Sequence, residues 1–121
     1  MVLKVQINNG EKITSAGLSV FDSKGKAIPD GGLEPGTTVV FTASQDPSTV
    51  AQFVQSAPNS LVGDITTVGD DIGVVLFTGT IQKPDGTLVM DSDGTIPQYE
   101  VTVVNGPPNT ASFTAGTVQP E

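Results

Sequence analysis

Four residue types are missing from this chain: cysteine, histidine, tryptophan and arginine. Each absence removes a class of chemistry. Without cysteine there is no disulfide framework and no thiolate nucleophile or metal ligand. Without histidine, the commonest metal ligand and the usual proton-transfer group at neutral pH are gone. Catalysis would fall to carboxylates, five lysines, serines and a single tyrosine, so no enzyme is expected. Basic charge is scarce as well: five lysines face 13 acidic residues, for a net charge of −8. Nucleic acid must be met by basic groups, and so must an anionic membrane surface. Neither is an expected partner, and a spread negative charge acts here to keep the chain soluble. Nowhere do 18 apolar residues run together, so no membrane insertion is expected. The opening "MVLKVQINNGEK" also lacks the apolar core of a signal peptide.

Turn formers and strand formers are abundant. The 121 residues include 14 glycines, nine prolines and 15 threonines. A length of 121 suits one core, and residues 1–121 are read as one domain. Apolar and polar residues alternate in short runs divided by turns, the period-two signal of half-buried strands. Leu3, Val5 and Ile7 alternate first, ended by a tight turn at "NNGE". Ala16, Leu18 and Val20 follow, closed by "DSKGK", and "IPDGGLEPG" is a loop. "TTVVFTAS", "STVAQFVQ", "LVGDITTV" and "IGVVLFTGTI" read as strands, with a turn at Asp46-Pro47 before the second. The last of these is apolar on both faces, which predicts a central position. A short arm, "TLVM", lies between Asp85-Gly86 and Asp93-Gly94. "YEVTVV" carries the strongest alternation, "NGPPN" breaks it, and "TASFTAGTV" predicts a closing strand with Ala111, Phe113 and Ala115 on one side. Phe41, Phe53, Phe77 and Phe113 are expected core residues. The expectation is an all-β fold, an antiparallel β-sandwich of seven to nine strands.

Two candidate acidic sites stand out. "DSDG" places Asp91 and Asp93 two residues apart, as the first ligands of a calcium loop would be. Continuing the count puts Ile96 where that loop needs glycine and Thr102 where it needs glutamate, so the template fails after two ligands. A tight turn accounts for the same residues, because Asp-Gly supplies the positive φ that such a corner requires. Asp70 and Asp71, beside Gly69 and near Asp64, form the second acidic spot, expected to be a solvated loop. No catalytic residue, cofactor or bound metal is expected, Asp91, Asp93, Asp70 and Asp71 being only weak candidates for a cation. Tyr99 is expected to be structural, its hydroxyl turned back onto the chain as a corner.

Residues 39–104 resemble the bacterial immunoglobulin-like domain repeated in invasin and intimin adhesins. The features carrying the likeness are "TASQDPSTVAQF", the glycines Gly63 and Gly69, "IGVVLFTGTI" and "YEVTVVNGPPNTASFTAG". Phe41 stands where that family often has tryptophan, and "GDDIGVVLFTGTI" is longer than the family's compact strand. The resemblance implies an Ig-like sandwich. A stand-alone module of this kind looks like the small accessory proteins that tailed bacteriophages place on capsids, tails or fibres. The implied role is then non-enzymatic attachment to other protein subunits, a major capsid or tail protein or the chain itself, in a virion assembled in the host cytoplasm. The alternative implied is a cell-surface adhesion or carbohydrate-binding module that meets a host-surface glycan.

Overall fold

The computed structural model describes residues 2–45, 48–108 and 110–120. Nine strands and no helix are present among them: β1 (Val2–Asn8), β2 (Lys12–Gly17), β3 (Val20–Phe21), β4 (Ala27–Ile28), β5 (Thr38–Ala43), β6 (Ala51–Gln55), β7 (Val62–Thr67), β8 (Gly73–Gln82) and β9 (Gln98–Val104). Four of them form one sheet in the order β1-β9-β8-β5, three form a second in the order β2-β7-β6, and β3 and β4 make a small hairpin. The two main sheets pack face to face as a β-sandwich. The Asp46-Pro47 turn lies outside the described residues.

Period-two patterning decides which side chains enter the space between the sheets. On β8, Val75, Phe77, Gly79 and Ile81 are buried while the residues between them are half-buried. On β9, Val101 and Val103 point inward. From the other sheet Ala16, Ala51 and Ile65 meet them, with Val50 at the edge, in one contiguous cluster. A second cluster of Val20, Val39, Leu61 and Ile81 continues the core towards the β3–β4 hairpin. As its composition suggested, β8 is central, flanked by β9 and β5. Its Val74 nevertheless stands exposed, so only one face of the strand is covered.

Three expectations are corrected. The sandwich is not wholly antiparallel, because β1 runs parallel to β9, from Val2 opposite Gln98 to Asn8 opposite Val104. The tight turn after β1 is present, with the Glu11 N–H donating to the Asn8 carbonyl at 3.0 Å and Gly10 at φ 89°. It does not make a hairpin, since β1 and β2 go to different sheets. Alternation is the same for parallel and antiparallel edge strands, so sequence cannot separate them. Second, residues 110–118 form no strand, and Phe113 is fully exposed rather than in the core. Third, β6 begins at Ala51 and not at Ser48. The Ser48 hydroxyl instead accepts the Val50 and Ala51 N–H groups, each at 3.2 Å, which turns the chain into the strand.

Two glycines allow close packing, Gly63 between neighbouring strands of one sheet and Gly79 beneath Leu18. A Cβ on Gly63 would sit 2.3 Å from the Val54 carbonyl oxygen and 2.6 Å from the Phe53 ring, so the ring lies where a side chain would be. One on Gly79 would meet the Leu18 methyls at 2.9 Å. β2 also carries a bulge between Ile13 and Ala16, where Ser15 has a φ of 56° and its N–H donates to Asp64 Oδ1 at 3.2 Å.

Ile65, with no exposed surface, should be the most sensitive point of this core. Ile65→Ala is expected to lower unfolding free energy by about 2–5 kcal/mol, read from urea or thermal denaturation. A loss within experimental error would mean that the two sheets do not meet there.

Candidate functional site

Asp70, Asp71, Asp91 and Asp93 occupy turns or loops, and Asp64 lies on β7. At residues 91–95 the Asp91 N–H donates to the Thr95 carbonyl at 2.7 Å and the Gly94 N–H to the Asp91 carbonyl at 2.9 Å, with Gly94 at φ 80°. Asp91 Oδ1 accepts the Ser92 N–H at 2.7 Å. Asp93 Oδ1 accepts the Thr95 N–H at 3.0 Å and the Thr95 hydroxyl at 2.5 Å. These bonds build the Asp-Gly corner that the sequence suggests.

Asp70 and Asp71 are exposed in the loop between β7 and β8. That loop is tied down by Asn9 Nδ2, which donates to the Gly69 and Asp71 carbonyls at 3.1 and 3.4 Å. Asp64 spends one oxygen on the β2 bulge. Among the described residues no three acidic, histidine or cysteine side chains come together as a metal set. The segment after Asp85-Gly86 lies back on β8: the Val89 N–H donates to the Ile81 carbonyl at 2.9 Å, and Val89 packs against the second core cluster.

A feature not legible in the sequence is a cavity of about 450 Å³ between the sheets, at the end where β9 begins. Phe41, Phe53, Phe77 and Tyr99 wall it, Leu18 and Ile81 close one side, and Leu3 and Met90 stand in its lining. Phe41 and Phe53 stack with ring centroids 4.0 Å apart, and Phe77 is tilted against Phe53 at 6.0 Å. Of the expected core phenylalanines only Phe77 is fully buried, while Phe41 and Phe53 are half-buried around this space. Tyr99 does not make the expected corner. It lies on the last strand rather than the penultimate one where such a tyrosine belongs. Its hydroxyl has no hydrogen bond among the described residues, and burial pushes its phenol above the ordinary value. The volume and largely apolar lining are those of a small-molecule pocket, with Ser19, Asp91, Ser92 and Gln98 among its polar members.

The second feature is the state of the sheet edges. An edge strand offers unpaired N–H and C=O groups to any passing strand. Three of the four edges carry local protection. On β5, the outward Val39 N–H donates to Asn59 Oδ1 at 3.0 Å, and its carbonyl accepts from Gln55 Nε2 at 3.1 Å. β2 is bent by its bulge, and the start of β6 is capped by Ser48.

β1 differs. The Asn9 N–H donates to the Val104 carbonyl at 2.7 Å, so by alternation the odd residues face β9 and Val2, Lys4, Gln6 and Asn8 face away. Glu11 accepts the Asn8 N–H at 2.6 Å. No described residue covers the outward amides and carbonyls of Lys4 and Gln6. Beside them Leu3 is 58% exposed.

The loop at residues 29–36 is anchored by a clasp the sequence did not signal. Ser60 donates its hydroxyl to Asp30 Oδ2 at 2.6 Å and the Leu61 N–H donates to Oδ1 at 2.9 Å. These partners, the Ser60 hydroxyl foremost, hold the Asp30 carboxyl below its ordinary value. Neither family models nor curated proteins match this chain.

Two outcomes follow. A lowered carboxyl pKa stabilises the fold fully above the ordinary value of 3.8 and loses that contribution as pH falls through the lowered value. The melting midpoint of Asp30→Asn should therefore lie below that of wild type near neutral pH, and the gap should close below pH 3.8; a gap independent of pH would sink the clasp. With Oδ1 of Asp91 and of Asp93 engaged in their own turn and no three-ligand set among the described residues, calcium and chelator should leave the melting midpoint unchanged, since only a ligand of the folded state raises it.

Proposed function

We propose that this chain is an immunoglobulin-like module acting by attachment to other protein subunits, as a non-enzymatic accessory protein of a bacteriophage virion. The strand order supports the Ig-like part. Counted along the chain, β2, β7 and β6 occupy the places of strands B, E and D, and β5, β8 and β9 those of C, F and G. β1 stands beside the last strand rather than beside B. The virion setting carries over from the resemblance of such modules to phage accessory proteins, with the major capsid or tail protein as partner.

The observation that carries the attachment reading is the β1 edge, whose outward groups at Lys4 and Gln6 have no partner among the described residues. Strand addition there supplies main-chain hydrogen bonds for affinity, while exposed Val2 and Leu3 supply apolar contact. Such a role needs no reactive centre. It also suits a chain in which no buried side-chain nitrogen or oxygen among the described residues lacks a hydrogen-bond partner.

Proline scanning tests it. Gln6→Pro removes an outward N–H, which an edge strand tolerates, whereas Val5→Pro removes one that faces β9. Gln6→Pro should keep its melting midpoint and lose co-sedimentation with purified phage particles by at least about tenfold. Val5→Pro should lower the melting midpoint. Particle binding by Gln6→Pro at the wild-type level would rule out edge pairing.

A further inference from the structure

The segment 110–118, "TASFTAGTV", has the sequence of a strand and the structure of none. Its residues alternate in the manner that predicts pairing, yet no described strand lies beside it and every residue of it is exposed. Phe113, the largest apolar side chain in the segment, is fully exposed, and so is Val118. Residues 105–120 contain no charged side chain. A neutral, proline-free run with alternating apolar positions is an aggregation hazard when left bare, unless a strand edge receives it.

The β1 edge meets that requirement. Its outward amides and carbonyls at Lys4 and Gln6 are available, and the chain's 13 acidic residues all fall outside residues 2–8 and 105–120. Two copies, each with a net charge of −8, can therefore meet along these two segments without setting carboxylates opposite one another. Face also matches. Leu3, Val5 and Ile7 share one side of β1, with Val5 and Ile7 packed on the core and Leu3 largely bare at the cavity. A strand laid along the edge with Ala111, Phe113 and Ala115 on that side puts Phe113 within reach of Leu3 and extends the apolar layer by one strand.

We propose that residues 110–118 of one copy add as a strand to the β1 edge of a second copy, so that the module links to itself. This rests on the attachment reading above and names the strand that fills the edge. Reciprocal donation closes a two-fold pair, and one-way donation extends a chain of modules.

A chain without cysteine permits a clean test, because introduced thiols are the only ones present. Gln6→Cys chains are mixed with Ser112→Cys or Thr114→Cys chains and oxidised. Cysteines opposite one another on paired strands are within disulfide reach. One of the two mixtures should form a cross-linked pair faster than any single variant forms a pair with itself. Sedimentation velocity should find concentration-dependent dimers or longer chains for wild type. Phe113→Asp should weaken association by at least about tenfold with an unchanged circular dichroism spectrum.

A wild-type chain that stays monomeric at its highest attainable concentration overturns the proposal. So does a chain carrying both Gln6→Cys and Thr114→Cys that closes only on itself at every dilution, because the segment then belongs to its own edge. If Gln6→Pro abolishes particle binding while no cross-link joins two copies, self-linking is wrong and attachment to another protein stands. If neither effect is seen, both readings fall.

Discussion

A thin layer of small aliphatic side chains holds this molecule together, and everything else is arranged around it. Ile65, Val75, Val101 and Val103 lie between the two sheets with almost no exposed surface, joined by one large ring, Phe77. With aromatics at only 5% of the chain, the sheets must approach closely for such residues to fill the gap. Gly79 helps that approach, because the Leu18 methyls rest where its side chain would be, while Phe53 rests on Gly63 of the neighbouring strand in its own sheet. Where the aliphatic layer gives out, near the start of β9, the stacked rings of Phe41 and Phe53, one from each sheet, and the ring of Tyr99 stand around open space. The cavity is thus a consequence of the same economy in side-chain volume that sets the core.

The edges follow from how a sandwich of two open sheets must be finished. Four edge strands expose four rows of main-chain groups, each a route to unwanted pairing. A bulge at β2, the Ser48 cap on β6 and the Asn59–Gln55 clasp on β5 answer three of them using neutral side chains already near the strand. The fourth, β1, has one lysine and one satisfied amide, which leaves the centre of the strand open. On the proposed attachment reading, a difference of that kind between edges gives the module a direction in which to bind.

Much of the fold was readable from residue order. Alternation in "IGVVLFTGTI" and "YEVTVV" located β8 and β9, because the period of two is a local property of an extended backbone with one face in a core. Asp-Gly at residues 85–86 and 93–94 located corners, because positive φ is also local. Alternation failed at "TASFTAGTV": a pattern states that a segment can pair, and whether it does depends on a partner elsewhere. Tyr99 was misassigned for a similar reason, since its role depended on whether its strand was last or next to last along the chain. The Asp30–Ser60 clasp and the cavity gave no sequence signal at all, as each joins residues far apart along the chain.

By itself, the sequence determined that the chain is all-β, where its turns fall, which faces are apolar, and that histidine and thiol chemistry are absent. Those properties depend on residue type and on spacing over a few positions. Only the tertiary structure decided that β1 runs parallel to β9, that its outer edge is open, and that a cavity lies behind Leu3. Main-chain hydrogen bonding is indifferent to side-chain identity, so which strands become neighbours, and which groups are left over, is settled only when the whole chain is folded.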